Sequence, residues 1–378
     1  MRIVIAGGGI IGLSLAWQLA RQGVEVVVLD QGRPGREASW AGAGIVPAAR
    51  ATGDDPPEQR LAALSYGLHH QWAALLRQET GIDTGFRTCG GLYVATEEDQ
   101  LPPLRQWYQE CRRQGLEAQW LDAPELAQAQ PALATRGQEG GLVLAAVFVP
   151  EDVQLRNPWH LQALLSACLS LGVQVHGGTP LVDVEELSGG VVRAVTPAGT
   201  WEADRLCLCT GAWSGLLASR LGFRLPVEPI RGQIVLLRLS KREFEPVINL
   251  GPRYLVPRAD GRVLVGSTEE RAGFDKRTTS QAVRQLLQMA TQLVPVLGQA
   301  EVERCWAGLR PCPPDRLPCL GRLPGWEQVY VATGHFRGGV TLSPGTAQVM
   351  AELMLGRPVA VELGPFAPER FAPAPQQE

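Results

Sequence analysis

Long unbroken apolar runs are missing from this chain of 378 residues. The longest ones are strand-length, or are broken by glycine, proline or charge, so none reads as a transmembrane helix. An excess of charge of one sign is missing too. Lys and Arg number 35, Asp and Glu 38, and the formal net charge is −3. That balance gives no electrostatic reason to expect a nucleic acid or an acidic membrane as partner. The five histidines form no cluster. The eight cysteines (Cys89, Cys111, Cys168, Cys207, Cys209, Cys305, Cys312 and Cys319) include no CxxC pair. Neither zinc nor a disulfide framework is expected. The cysteines read as small buried hydrophobes in a reducing compartment. Cys207 and Cys209 alternate in RLCLCTG and should face the same side of one strand. Met1-Arg2 precedes an apolar run, as in a signal peptide. Glycines interrupt that run at once and no small-residue cleavage site follows, so a cytoplasmic protein is expected.

What is present is a globular composition, 45% hydrophobic and 19% charged. The length suits two domains, or one large α/β domain with an insertion. Residues 3–6 are an apolar run ending in glycines. Ile11, Leu15 and Leu19 recur at helical spacing, Gly23 ends that helix, and the β-branched run 24–29 stops at Asp30. This is a βαβ unit at the extreme N-terminus. Residues 35–47 are small and Gly-rich and read as a loop approaching a ligand with its backbone. Helices are expected over 61–80, 158–171, 279–297 and from the 340s to about Leu355, with helical pieces over 97–140 punctuated by prolines. Strands are expected at 90–96, 173–176, within 181–206, at 206–211, within 227–271 and at 329–332. The tail from Pro365 reads as frayed. Apolar runs ending in glycine near the start, middle and end of the chain suggest one nucleotide-binding domain assembled from 1–75, 151–220 and 310–378. The insertions 76–150 and 221–309 would build a second domain over the cofactor.

Gly7-Gly8-Gly9-Ile10-Ile11-Gly12 fits G-x-G-x-x-G. Gly7 makes the turn out of the strand, Gly9 lets the backbone approach a pyrophosphate, and Gly12 lets helix pack on sheet. The helix N-terminus then offers free N–H groups and partial positive charge. Asp30 closes the second strand, where a carboxylate accepts from ribose hydroxyls. A lone motif of this kind is weak, and the competing reading is an ordinary Gly-rich turn. The strand before, the helix after and the terminal acid favour a dinucleotide. Position at the N-terminus, with 38–45 and 333–341 as distant segments that complete the site, favours FAD over NAD.

Six further segments carry a resemblance over nearly the whole chain: GREASWAGAGI, CTGAWSG, PIRGQ, RYLVPRADGRVLVGSTEERAGFDKRTT, WAGLRPCPPDRLPCLG and GHFRGGVTLSPGTA. The chain resembles the D-amino acid oxidase and glycine oxidase family of flavoproteins, nearest its thiamine-biosynthesis branch. The resemblance implies an α/β (α+β overall) fold, with a Rossmann-type FAD-binding domain and a mostly antiparallel substrate-binding sheet. It implies that Ile10 and Ile11 meet the pyrophosphate, Asp30 and Gln31 the ribose, and Leu181 the adenine. Ala38, Ser39, Ala43, Gly44 and Ile45 would line the cofactor. His335, Phe336, Arg337, Gly338, Gly339, Val340 and Thr341 would wrap the flavin and its ribityl chain.

By the same resemblance Arg310 clamps a substrate carboxylate, Tyr254 hydrogen-bonds it, and Arg337 stands at the substrate end. An arginine fork holds a carboxylate by two charge-assisted hydrogen bonds, which lysine cannot reproduce. A surface ion pair is the bland alternative for Arg310, but its neighbours Trp306, Leu309 and Pro311 argue against it. Half-buried aromatic packing for Tyr254 and carbonyl binding for Arg337 stay open. The family can carry histidine and methionine near the substrate where Pro252 and Glu269 stand here. Glu269 is open to two readings, attraction of a substrate ammonium or pairing with Arg271. Cys312 is not in the motif that tethers flavin in sarcosine oxidases, so FAD is expected non-covalent. The reaction implied is oxidative deamination of glycine, sarcosine or small D-amino acids, with O2 as acceptor and no catalytic acid or base. The imine would give glyoxylate and ammonia or pass to thiazole synthase, and relatives suggest a homotetramer. The alternatives are a quinone-linked D-amino acid dehydrogenase, a sarcosine-type N-methyl amine oxidase, and a non-enzymatic FAD scaffold.

Overall fold

The computed structural model describes residues 1–372. Its first strand, Arg2–Ala6, lies inside a six-stranded sheet. The spatial order is Cys319–Arg322, Val329–Thr333, Arg205–Leu208, Arg2–Ala6, Glu25–Leu29, Gln174–His176. Every pair is parallel except the first, which is antiparallel. A parallel strand is covered on both faces, so its sequence is continuously apolar rather than alternating. Ile3, Ile5, Val26, Val28 and Cys207 point to one side, into a core shared with the helices Ile10–Ala20, Asn157–Ser170 and Gly339–Met354. Val4, Ala6, Val27, Leu29, Leu206 and Leu208 point to the other. There they meet Val184, Val192, Ala194 and Ala203 of a three-stranded antiparallel sheet, Asp183–Leu187, Val191–Thr196 and Gly199–Ala203.

An eight-stranded sheet stands beside this layer. Its order is Glu301–Cys312, Glu228–Arg238, Arg262–Gly266, Arg253–Pro257, Val247–Leu250, Gly91–Ala95, Ala145–Val149, Gln119–Asp122. Only the pair Val247–Leu250 with Gly91–Ala95 is parallel. One face packs on helix Ser280–Leu293 through Val235, Leu255, Val265, Leu286 and Ala290. Thr279 caps that helix by accepting from the Ala282 N–H. The other face carries Gly232, Ile234 and Tyr254 toward a cavity. The strand Glu301–Cys312 runs across residue 310 and helix Pro57–Thr80 across residue 76, so chain boundaries at those points fall inside elements.

Most of the expected elements are present, with ends shifted by a few residues. The prolines read as punctuation open helices: Pro102 and Pro103 stand in the first turn of Leu101–Arg113, Pro124 in that of Ala123–Ala129. A first turn needs no N–H from them. Three expectations need correction. Residues 35–47 are not simply loop, because Ala38–Ala41 forms a helical turn and Ile45–Val46 a short strand. The strands Gln119–Asp122, Ala145–Val149, Glu301–Cys312 and Cys319–Arg322 lie where none was expected. The tail from Pro365 is folded back as far as Ala372. Phe366 is buried, and the Arg370 guanidinium donates to Phe366 O (2.6 Å) and Leu317 O (3.0 Å) and pairs with Asp315 (2.8 Å). Residues 373–378 of that expectation lie outside the described residues. No helix among the described residues is long and apolar enough to cross a membrane. Six of the cysteines are buried, Cys305 and Cys312 are partly exposed, and all eight are free. Cys207 and Cys209 share a face, with sulfurs 3.7 Å apart.

Candidate active site

The glycine motif is under steric necessity. Gly7 has φ +107°, and a Cβ there would lie 2.3 Å from Cys209 O, just past the end of the neighbouring strand. A Cβ on Gly12 would lie 1.9 Å from Gly7 O, so helix and strand touch backbone to backbone. Gly9 is the N-cap and brings no capping side chain, and the first turn holds no acidic residue. Ser39 Oγ accepts from the Ile10 N–H (2.9 Å). The end of the helix is left suited to an anion. Asp30 is braced at the tip of its strand by the N–H groups of Gly8 (2.7 Å) and Gly32 (2.8 Å).

Gly7, Gly9, Ile10, Ile11, Asp30, Gln31, Ala38, Ser39 and Leu181 line one cavity, which holds about 1200 Å³ of space partly open to solvent. It reaches Arg310, His335, Phe336, Arg337, Gly339 and Val340 at its far end. A second cavity of about 1320 Å³ is lined by Ala43, Gly44, Ile45, Tyr254, Gly338 and Thr341. The two share Ala38, Gly42, Arg310, Arg337 and Val340. Gly12 lines neither, since its place is behind the wall.

Three glycines of the large sheet shape the far end. The Arg310 guanidinium lies across Gly232, where a Cβ would be 2.2–2.4 Å from Nη1, Nη2 and Cζ. A Cβ on Gly266 would be 2.6–2.7 Å from the Tyr254 ring and hydroxyl, and one on Gly308 would be 2.6 Å from Ala41 Cβ. Arg310 donates to Ser267 Oγ (2.5 Å) and Thr268 O (3.1 Å), both neutral oxygens. No carboxylate among the described residues comes within ion-pair distance of it. Burial lowers its pKa; Arg337 reinforces that effect, and the neighbouring Tyr254 hydroxyl and Glu269 oppose it. A desolvated guanidinium without a counter-ion is a site for an anion. Arg337 is different. It pairs with Glu269 (2.5 Å) and donates to Pro252 O (2.8 Å). Glu269 therefore does not pair with Arg271, which bonds Glu228 instead.

Of the residues that support the site, Asn157, Arg258 and His69 carry no signal of their own in the sequence. Gly44 has φ +72°, with Leu155 O 2.0 Å from a would-be Cβ. Asn157 donates to Ser39 O (2.7 Å). Arg258 donates to Ala43 O (2.7 Å), Gln154 Oε1 (2.7 Å) and Leu155 O (3.0 Å). Burial, followed by Arg156 and Arg87, lowers its pKa to about 9. His69 contacts the carbonyls of Val340 (3.0 Å) and Thr341 (3.1 Å), and burial lowers its pKa to about 4. His335 lines the first cavity with Nε2 3.0 Å from Thr346 Oγ1. Burial lowers its pKa to about 3, so it is neutral at ordinary pH. Cys312 lines neither cavity; it borders a separate outer hollow.

The donor set fits FAD: a helix N-terminus with a glycine cradle and no acidic residue in its first turn for a pyrophosphate, a braced carboxylate for a ribose, and a long cavity ending among backbone groups. Comparison with known proteins agrees. The family description "FAD dependent oxidoreductase" matches residues 2–353. The glycine oxidase of Pseudomonas putida is 35% identical over 97% of this chain and 98% of its own length. The bifunctional protein ThiO/ThiG of Synechocystis is 32% identical over 98% of this chain, which spans 54% of that longer protein. The crystal structure of glycine oxidase from Geobacillus kaustophilus superposes with a TM-score of 0.91 at 32% identity, covering 97% of this chain and 98% of that one. This chain is therefore an enzyme of the FAD dependent oxidoreductase family.

Proposed function

We propose that the protein oxidises the C–N bond of glycine, and of small amines like it, to supply the imine used for the thiazole of thiamine. Relatives named glycine oxidase, matched end to end, support this reading, as do relatives fused as ThiO/ThiG. In this reading Asp30, Gln31 and Leu181 take the adenosine of a non-covalent FAD. Gly7, Gly9, Ile10 and Ile11 take its phosphates. Ala38, Ser39, Ala43 to Ile45 and His335 to Thr341 surround the rest. The FAD-binding part would comprise 1–75, 151–220 and 310–378, and the substrate part 76–150 and 221–309.

When bound, FAD supplies a two-electron oxidation, accepting a hydride from the substrate and passing the electrons to oxygen as hydrogen peroxide. The chain's part is placement. Arg310 exchanges Ser267 and Thr268 for the substrate carboxylate, because two charge-assisted bonds outweigh two to neutral oxygens. Tyr254 adds a hydroxyl to the same carboxylate. Held at that end, the substrate has its amine and Cα aimed along the cavity. No proton need be taken from Cα. His335, kept neutral and engaged with Thr346, is not positioned as a base. The released imino acid hydrolyses to glyoxylate and ammonia or passes to a thiazole synthase.

The single observation that carries the proposal is Arg310, half-buried, without a counter-ion and facing the cavity beside Tyr254. The test is anaerobic bleaching of the flavin by glycine, sarcosine and a panel of D-amino acids, with peroxide assayed in air. Glycine should bleach it, and Arg310→Met should raise KM by orders of magnitude with FAD retained. A flavin that no amino acid bleaches would refute the proposal.

A further inference from the structure

Two guanidinium groups, Arg310 and Arg337, line the same cavity. They are near enough for Arg337 to help lower the Arg310 pKa. Left to themselves, two such groups would welcome a ligand with two carboxylates. They are not equivalent. Arg310 has only neutral partners, Ser267 Oγ and Thr268 O, which an arriving carboxylate displaces. The Arg337 fork is already spent. Nη1 is on the Glu269 carboxylate and Nη2 on the Pro252 carbonyl. Two cations and one anion leave a single positive charge for the ligand. Arg337 lines both cavities, whereas Glu269 lines neither; it lines a neighbouring hollow of about 1500 Å³ that shares Ala212 and Phe336 with the first cavity. The side chains are only 34% and 27% exposed, so the pair is shielded more than a free surface contact.

We infer that Glu269 is a specificity-determining residue: by occupying Arg337 it restricts the cavity to amines that carry one carboxylate. This rests on the reading of Arg310 as the carboxylate clamp. A second carboxylate would have to evict Glu269 from Arg337 and then remain beside it, like charge against like charge. A neutral side chain at 269 removes both obstacles.

Two unreactive ligands test this on the FAD-loaded protein. Methoxyacetate has one carboxylate and diglycolate has two, and each has an ether oxygen where a substrate has its amine. Binding is read from perturbation of the flavin absorption and by calorimetry. The unaltered protein should prefer methoxyacetate. In Glu269→Gln and Glu269→Met the ratio of diglycolate to methoxyacetate affinity should rise by about tenfold or more. Adding Arg337→Met to Glu269→Gln should abolish the rise. An unchanged ratio in both single variants, or a rise that survives Arg337→Met, overturns the inference. Arg310→Met provides the separate check. If methoxyacetate binding survives it, the clamp reading itself fails and takes the inference with it.

Discussion

Gly232 allows the proposed clamp to be displaced without touching a charged residue. A methyl group added there would start 2.2 Å from Nη1, 2.3 Å from Nη2 and 2.4 Å from Cζ of Arg310. Those atoms are the far end of a flexible side chain, so the guanidinium should move while the strand Glu228–Arg238 stays. The cost in global stability should be about 1 kcal/mol or less. The cost at the site should be larger. A charge-assisted hydrogen bond contributes about 1.5–3 kcal/mol, and displacement spoils at least one of two. About 3 kcal/mol corresponds to roughly a hundredfold loss in kcat/KM, expressed chiefly in KM. The assay is steady-state peroxide formation with glycine, alongside FAD affinity and thermal unfolding. Gly232→Ala combined with Arg310→Met should be hardly worse than Arg310→Met alone, because both remove one interaction. A Gly232→Ala enzyme within threefold of the unaltered kcat/KM would refute the reasoning, and so would a parallel fall in FAD affinity.

Arg258→Met removes the donors to Ala43 O, Gln154 Oε1 and Leu155 O. Each buried acceptor left unmet costs about 1 kcal/mol or more, so FAD affinity should fall at least about tenfold and amide exchange at 42–46 should quicken; unchanged values of both would count against a bracing role. Asp152 supplies a pH test. Burial raises its carboxyl to about 6, against the opposing bonds from Ala48 N–H (2.8 Å) and Tyr93 hydroxyl (2.7 Å). The folded state therefore holds this proton more tightly than the unfolded state, and its contribution to stability falls as pH rises from about 4 to about 6. A rise from 3.8 to about 6 corresponds to about 3 kcal/mol at most. Denaturant unfolding of Asp152→Asn against the unaltered chain should show a gap that moves in the variant's favour between pH 4 and pH 7, and a constant gap would contradict the assignment. The buried histidines act in the opposite sense. His69, lowered to about 4, and His160 and His335, lowered to about 3, bind protons more readily unfolded, so stability falls as pH drops below about 6.5.

The amino-acid sequence determined the βαβ unit and its phosphate cradle. The reason is local: an apolar run, a turn only glycine can make, and a helix starting on a glycine lie within thirty residues. It also marked Arg310, Tyr254 and Arg337 by motif, and all three line one cavity. What Glu269 touches was not legible. Its partner is 68 positions away, and nearby Arg271 looked as plausible until its own partner proved to be Glu228. The need for glycine at 232 was equally hidden. It exists only because antiparallel register sets Gly232 opposite Gly308 and lays Arg310, two residues on, across it. The bracing by Asn157 and Arg258 spans 118 and 215 positions. The folded tail depends on carbonyls at 317, 366 and 367 arranged for Arg370. Motifs record what each segment demands of its own backbone. Which charges are neutralised and which are left for a ligand depends on strands meeting from distant parts of the chain, and only the tertiary structure decided that.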